Sequence, residues 1–105
     1  RQARDIVAAV HELTDPADPL ILAGDFNDWN GRVDPVICSE GGLDNAMLAL
    51  AMEDRKTYST RRPLFALDRV YYRNLHLTEV SVLRDGLWAR LSDHFPVRVS
   101  LEFRG

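Results

Sequence analysis

Leu20-Ile21-Leu22-Ala23-Gly24-Asp25-Phe26-Asn27-Asp28-Trp29-Asn30-Gly31 is the stretch on which the reading of the chain turns. It opens with an apolar run, the pattern of a strand buried on both faces. At Gly24 the character changes to acid and amide side chains, Asp25, Asn27 and Asp28. A carboxylate is costly to desolvate unless it is paired or binds a metal, and the ends of strands in α/β sheets are where sites are built. The competing reading is a plain Gly-Asp-x-Asn turn that ends a strand. This stretch alone leaves the two level.

Upstream, Ala3, Ile6, Val7, Val10 and Leu13 repeat at helical spacing, with Arg4, Asp5, His11 and Glu12 on the other side. His11 is expected to be solvated. The Thr14–Pro19 segment, with prolines at 16 and 19, stops that helix. A helix feeding a core strand through a short loop is half of a layered α/β unit. Downstream, Asp34-Pro35 reads as an N-cap and first helical residue, giving a short helix to about Glu40 that Gly41-Gly42 ends. Asp44 is expected to cap a further turn through Met47, Leu48 and Leu50, with Met47 and Met52 as core filler.

From Lys56 the period changes to two. Thr57–Thr60 is a short strand candidate, and Leu67-Asp68-Arg69-Val70-Tyr71-Tyr72-Arg73 a stronger one rich in β-formers. In the latter Asp68 shares a face with Val70 and Tyr72, an inward pattern for an acid. Asn74-Leu75-His76 reads as a turn, after which Leu77–Leu83 pairs back. Phe95, Val97, Val99, Leu101 and Phe103 alternate with polar residues in a half-buried final strand. Sequential strands at the end predict an antiparallel sheet with helices on one face.

The chain's 105 residues make one domain at most. A net charge of −3 argues against gripping nucleic acid by bulk electrostatics. Arg61, Arg62 and Arg69 are candidates for steering a phosphate, with a solvated face as their default reading. The single Cys38 excludes an internal disulfide and fits neither a zinc cluster nor a redox pair; it reads as a small buried apolar residue. No apolar run is long enough to span a membrane, and no signal peptide is present, so a cytoplasmic location is the expectation. Trp29 and Trp88 lie beside the candidate site loops and read as aromatic plugs.

Ser92-Asp93-His94 stands immediately before the final strand, as Asp25 stands at the exit of the first. A histidine in a site usually has a carboxylate to fix its tautomer, and Asp68 is the candidate. Asp25, Asp68 and His94 are therefore expected to converge on one bound anion, and the enzymatic reading stands or falls on that convergence.

Gly24-Asp25-Phe26-Asn27, Leu67-Asp68-Arg69-Val70 and Ser92-Asp93-His94-Phe95-Pro96-Val97 resemble the last three signature motifs of the endonuclease/exonuclease/phosphatase family, whose members include exonuclease III-like nucleases, DNase I, inositol-phosphate phosphatases and sphingomyelinases. The resemblance covers nearly the whole chain, and the Asp28-Trp29 and Leu67–Tyr72 runs look most like small bacterial members. It implies an α/β (α+β layered) fold, the C-terminal half of a four-layer α/β/β/α sandwich. The implied activity is Mg²⁺- or Mn²⁺-dependent hydrolysis of a phosphate ester by in-line attack of water. By the same resemblance Asp25 activates the water or protonates the leaving oxygen, and Asn27 helps hold that aspartate and the phosphate. Asp68 orients the histidine, Asp93 stands with Asp25 at the metal centre, and His94 stabilises the phosphate.

The family's domain is about twice this length, and its first half supplies an Asn and a metal-binding Glu. Neither is identifiable here, since Glu12, Glu40, Glu53 and Glu79 lack the right context. Residues 1–105 are thus expected to be the C-terminal part of such a domain, weak in metal affinity and low in turnover alone. Its expected partners are the missing N-terminal half and a phosphate-ester substrate: nucleic acid, a lipid headgroup or a small phosphodiester. A truncated sandwich leaves one sheet face apolar, so homodimerisation of the fragment is a further expectation. The alternative function is a non-catalytic interaction or regulatory module that keeps the fold.

Overall fold

The computed structural model describes residues 2–26, 28, 31–59 and 66–104, the side chain of Ala89 excepted. Asn27, Trp29, Arg61 and Arg62, named above, lie outside the described residues.

Helix α1 (Gln2–Leu13) leads through the Thr14–Pro19 loop into strand β1 (Leu20–Asp25). Helix α2 (Val33–Ser39) and a two-residue strand β2 (Asp44–Asn45) follow, then two 3₁₀ turns, Ala46–Ala49 and Met52–Arg55. Strands β3 (Asp68–Arg73) and β4 (Leu75–Val82), helix α3 (Gly86–Leu91) and strand β5 (Val97–Phe103) complete the chain.

The strands form two antiparallel sheets. One has the order β1-β3-β2; the other is the β4–β5 pair. The core lies under the first, where Ala3 and Val7 of α1, Ile37 of α2, Phe26, Leu43 and Tyr71 form one cluster. The Phe26 and Tyr71 rings meet edge to face, with centroids 5.2 Å apart, a favoured aromatic geometry. Among the described residues no helix is long and apolar enough to cross a membrane.

Several expectations need correction. Strand β1 is not buried on both faces: it is an edge strand, and Ile21 is 55% exposed. An antiparallel sheet needs only one covered face, and here that cover is α1 and α2. Across a groove from Ile21, Phe103 is 81% exposed, so two large apolar side chains flank that groove in the open. The inward face of β3 carries Arg69 and Tyr71, both buried, while Asp68, Val70 and Tyr72 are half-buried on the opposite face. Asn74, with φ +57°, turns the chain out of β3. As a result β4 pairs with β5 rather than folding back on β3, and His76 lies within β4 opposite Glu102, not in a turn.

Helix α2 is capped by neither Asp34 nor its own N-cap side chain. Asp28 does that work from outside the helix, accepting the amides of Arg32 at 2.8 Å and Val33 at 3.0 Å, which satisfies donors that a helix start leaves orphaned. Asn45, not Asp44, caps the first 3₁₀ turn by accepting from the Met47 amide at 2.9 Å. Met47 is buried as expected, but Met52, at the start of the second turn, is 75% exposed. Of the Thr57–Thr60 strand, only an isolated bridge from Tyr58 to His94 is found among the described residues. Cys38 is half-buried, and burial, reinforced by the charge of Asp34, pushes its thiol up to about 11.

Candidate active site

β1 and β3 run side by side with Asp25 opposite Asp68. Two acids thus reach one sheet end from strands that are far apart in sequence. Gly24 precedes Asp25 with φ +156° and open space where a Cβ would stand. Only glycine adopts that backbone readily, so its requirement is conformational rather than steric.

The second sheet brings the histidine. His94 precedes β5, and its backbone bridges to Tyr58. The Phe95 amide donates to the Thr57 carbonyl at 2.8 Å, and the Asp68 amide donates to the Thr57 hydroxyl at 3.1 Å. The Phe26 amide donates to the Leu67 carbonyl at 3.0 Å, tying the exit of β1 to the entry of β3.

These ties bring Asp25, Asp68 and His94 together: one ligand atom from each lies within 4.8 Å of the others. His94 Nδ1 bonds Asp68 Oδ2 at 2.5 Å, and Nε2 stands 3.7 Å from Asp25 Oδ2. With Asp68 ionised, Nδ1 carries the proton and donates it to the carboxylate, leaving Nε2 to face Asp25. Burial pulls the imidazole toward its neutral form. The hydrogen bond to Asp68 and the charges of Asp68, Asp25 and Asp93 outweigh it and hold His94 above its ordinary value. The Tyr58 ring lies against the imidazole at 4.8 Å. Beside them opens a shallow cleft of about 370 Å³ bordered by Gly24, Asp68, Val70, Ser92, His94 and Pro96. Asp93 is exposed and lies outside the three-residue group.

Beneath the site runs a buried polar network that sequence reasoning missed. Arg69, read as solvated, is 8% exposed, and its Nη1 donates to Asp28 Oδ2 at 2.7 Å. Its Nη2 donates to the Ala66 carbonyl at 3.1 Å. The Tyr71 hydroxyl donates to Asp34 Oδ1 at 2.7 Å, and the Asn45 amide reaches the same oxygen at 2.8 Å. Burial and the bond to Asp34 raise the Tyr71 hydroxyl above its ordinary value and keep it a donor. The alternation of β3 was the available signal: Arg69 and Tyr71 share a face, and a buried arginine requires an acid.

The arrangement can hold a proton at a fixed nitrogen, present a carboxylate opposite it, and offer oxygen ligands to a hard cation. A family profile described as the Endonuclease/Exonuclease/phosphatase family matches residues 1–94. Among curated relatives, the protein named "Uncharacterized protein YbhP" of Escherichia coli (strain K12) is 33% identical over 103 residues, covering 96% of this chain and 40% of that protein. The protein of the same name from Shigella flexneri matches equally. The chain therefore spans about two-fifths of the length of these relatives. A crystal structure of an endonuclease/exonuclease/phosphatase family protein from Bacteroides thetaiotaomicron superposes with a TM-score of 0.75 at 24% identity, over 98% of this chain and 44% of that one. Fold and sequence agree: the chain belongs to the endonuclease/exonuclease/phosphatase family.

Proposed function

We propose that the chain contributes Asp25, Asn27, Asp68 and His94 to the hydrolysis of a phosphate ester. The observation that carries this reading is the placement of His94, tied through Nδ1 to Asp68 at 2.5 Å and facing Asp25 with Nε2 at 3.7 Å. That separation is too long for a strong direct hydrogen bond, so a third group between them is better served than either is by the other.

Asp68 holds the ring in one orientation and keeps the proton on Nδ1, as carboxylates do for site histidines. The protonated ring presents Nε2–H to a phosphoryl oxygen, where fixed positive charge offsets the charge that develops as water attacks. Asp25, opposite, takes the proton of the attacking water or gives one to the leaving oxygen. Hydrolysis adds the water's oxygen to phosphorus, breaks the bond to the ester oxygen, and returns the proton to that oxygen.

The donor set fits a hard divalent cation in part. Asp25 and the exposed Asp93 offer the carboxylate oxygens that Mg²⁺ and Mn²⁺ take, whereas Asp68 and His94 engage each other. Asp25 and Asp93 are the residues that would hold the ion. When bound, it supplies positive charge to the phosphoryl oxygens and makes water more acidic. Few such ligands come from this stretch, which accords with its covering two-fifths of its relatives; residues 1–105 alone should turn over slowly or not at all.

The test is Mg²⁺-dependent hydrolysis of bis(p-nitrophenyl) phosphate by the full-length protein, with and without His94→Ala. Hydrolysis that survives this change refutes the reading. A non-catalytic module would show no hydrolysis to lose.

A further inference from the structure

We propose that Thr57 is a positioning residue whose hydroxyl sets Asp68 against His94 where the two sheets meet. The proposal rests on the reading of the site given above and adds to it a residue that touches neither substrate nor metal.

Asp68 begins a strand of the first sheet, while His94 leads into a strand of the second. No ladder hydrogen bond joins β3 to β5 among the paired strands, so strand pairing alone does not set the spacing of the dyad. Thr57 spans the gap. Its hydroxyl accepts the Asp68 amide at 3.1 Å, its carbonyl accepts the Phe95 amide at 2.8 Å, and the next residue, Tyr58, bridges to His94. One dipeptide thereby grips the backbone on both sides of the Asp68–His94 bond.

The side chain is fully buried, with 0% exposure. Water has no access there to replace a lost acceptor, and a buried amide without a partner draws the backbone toward another. Valine has nearly the shape of threonine but lacks the acceptor, whereas serine keeps it. The hydroxyl, not the bulk, is what meets Asp68.

The experiment compares Thr57→Val and Thr57→Ser in the full-length protein. In the metal-free protein, the proton between His94 Nδ1 and Asp68 is followed by NMR as a downfield resonance. With Mg²⁺ and bis(p-nitrophenyl) phosphate, kcat and KM are measured separately. Thr57→Val is expected to move or broaden the resonance and to lower kcat by roughly 10–100-fold with little change in KM, the scale on which misplacement acts. Thr57→Ser is expected to restore the resonance and most of kcat.

A folded Thr57→Val protein with the wild-type resonance and wild-type kcat overturns the proposal, as does a loss of stability with neither affected. If Thr57→Val does not fold, Thr57→Ser is set against Thr57→Cys, which differs from it chiefly in acceptor strength; equal behaviour of those two overturns it. Should His94→Ala leave hydrolysis intact, the reading of the site fails separately, and the resonance alone decides whether Thr57 sets the dyad.

Discussion

Asp28 and Arg69 meet at 2.7 Å with their side chains 1% and 9% exposed, directly beneath the acids of the site. Asp28 follows Asp25 by three residues in sequence, and Arg69 is the neighbour of Asp68 on β3. The pair therefore clamps the exit of β1 to β3 while Asp28 also caps α2.

Breaking this pair on one side should be expensive. Arg69→Ala leaves a buried carboxylate without its main partner, and such losses run to about 3–5 kcal/mol. Urea unfolding of the variant is expected to show a deficit of that order. A deficit below about 1 kcal/mol, the range of exposed ion pairs, would contradict the burial described here.

The same pair gives stability a specific pH dependence. Burial on its own raises the Asp28 carboxyl; the bonds from Arg69, Val33 and Arg32, with the Arg69 charge, outweigh it and leave the group below its ordinary 3.8. A carboxyl lowered in the folded state contributes stability that is fully present above 3.8 and is lost as pH falls through its lower folded value. Unfolding followed from pH 7 down to about pH 2 should show this acid-side loss in the wild type, and Asp28→Asn should remove that component.

Asp68→Asn is expected to act on turnover rather than on folding. It keeps the shape of Asp68 but removes the charge that fixes and protonates His94, so kcat for bis(p-nitrophenyl) phosphate should fall by about 10²–10⁴-fold, the usual worth of a positioned acid–base group. A thermal melt checks that the fold is retained.

How much of this was legible in the sequence varies with the kind of interaction. The helix at Ala3–Leu13 and the alternation of Val97–Leu101 are periodic patterns, and both were found in place. The apolar run Leu20–Ala23 located a strand, which extends to Asp25, but misjudged it as buried on both faces. The convergence of Asp25, Asp68 and His94 followed from acids and a histidine placed at strand ends, and the coordinates bring them together. Partner choice was not legible. Whether Leu77–Leu83 pairs with β3 or with β5 depends on Asn74 at φ +57°, a single-residue turn outside any periodic signal. Arg69 looked like one of several surface arginines because its partner, Asp28, stands 41 residues away in a loop.

Gly24→Ala offers a local test of the strand exit. A side chain at φ +156° is strained wherever it has room, and such conformations cost about 1–3 kcal/mol. The variant should melt at a lower temperature, and hydrolysis should weaken further because the strain is next to Asp25.

Full-length protein treated with EDTA should lose hydrolysis and regain it on addition of Mg²⁺ or Mn²⁺, while its melting temperature changes little. Activity that persists without divalent ions would exclude the oxygen-ligand reading of Asp25 and Asp93.

Because Asp25 and Asp68 ride on one sheet while His94 stands just ahead of the strand Val97–Phe103 of the other, the proposed chemistry would depend on how those two sheets are set against each other. Substitutions under either sheet, far from any acid, would then shift the spacing of Asp68 and His94 and so alter turnover without touching the residues proposed to perform it.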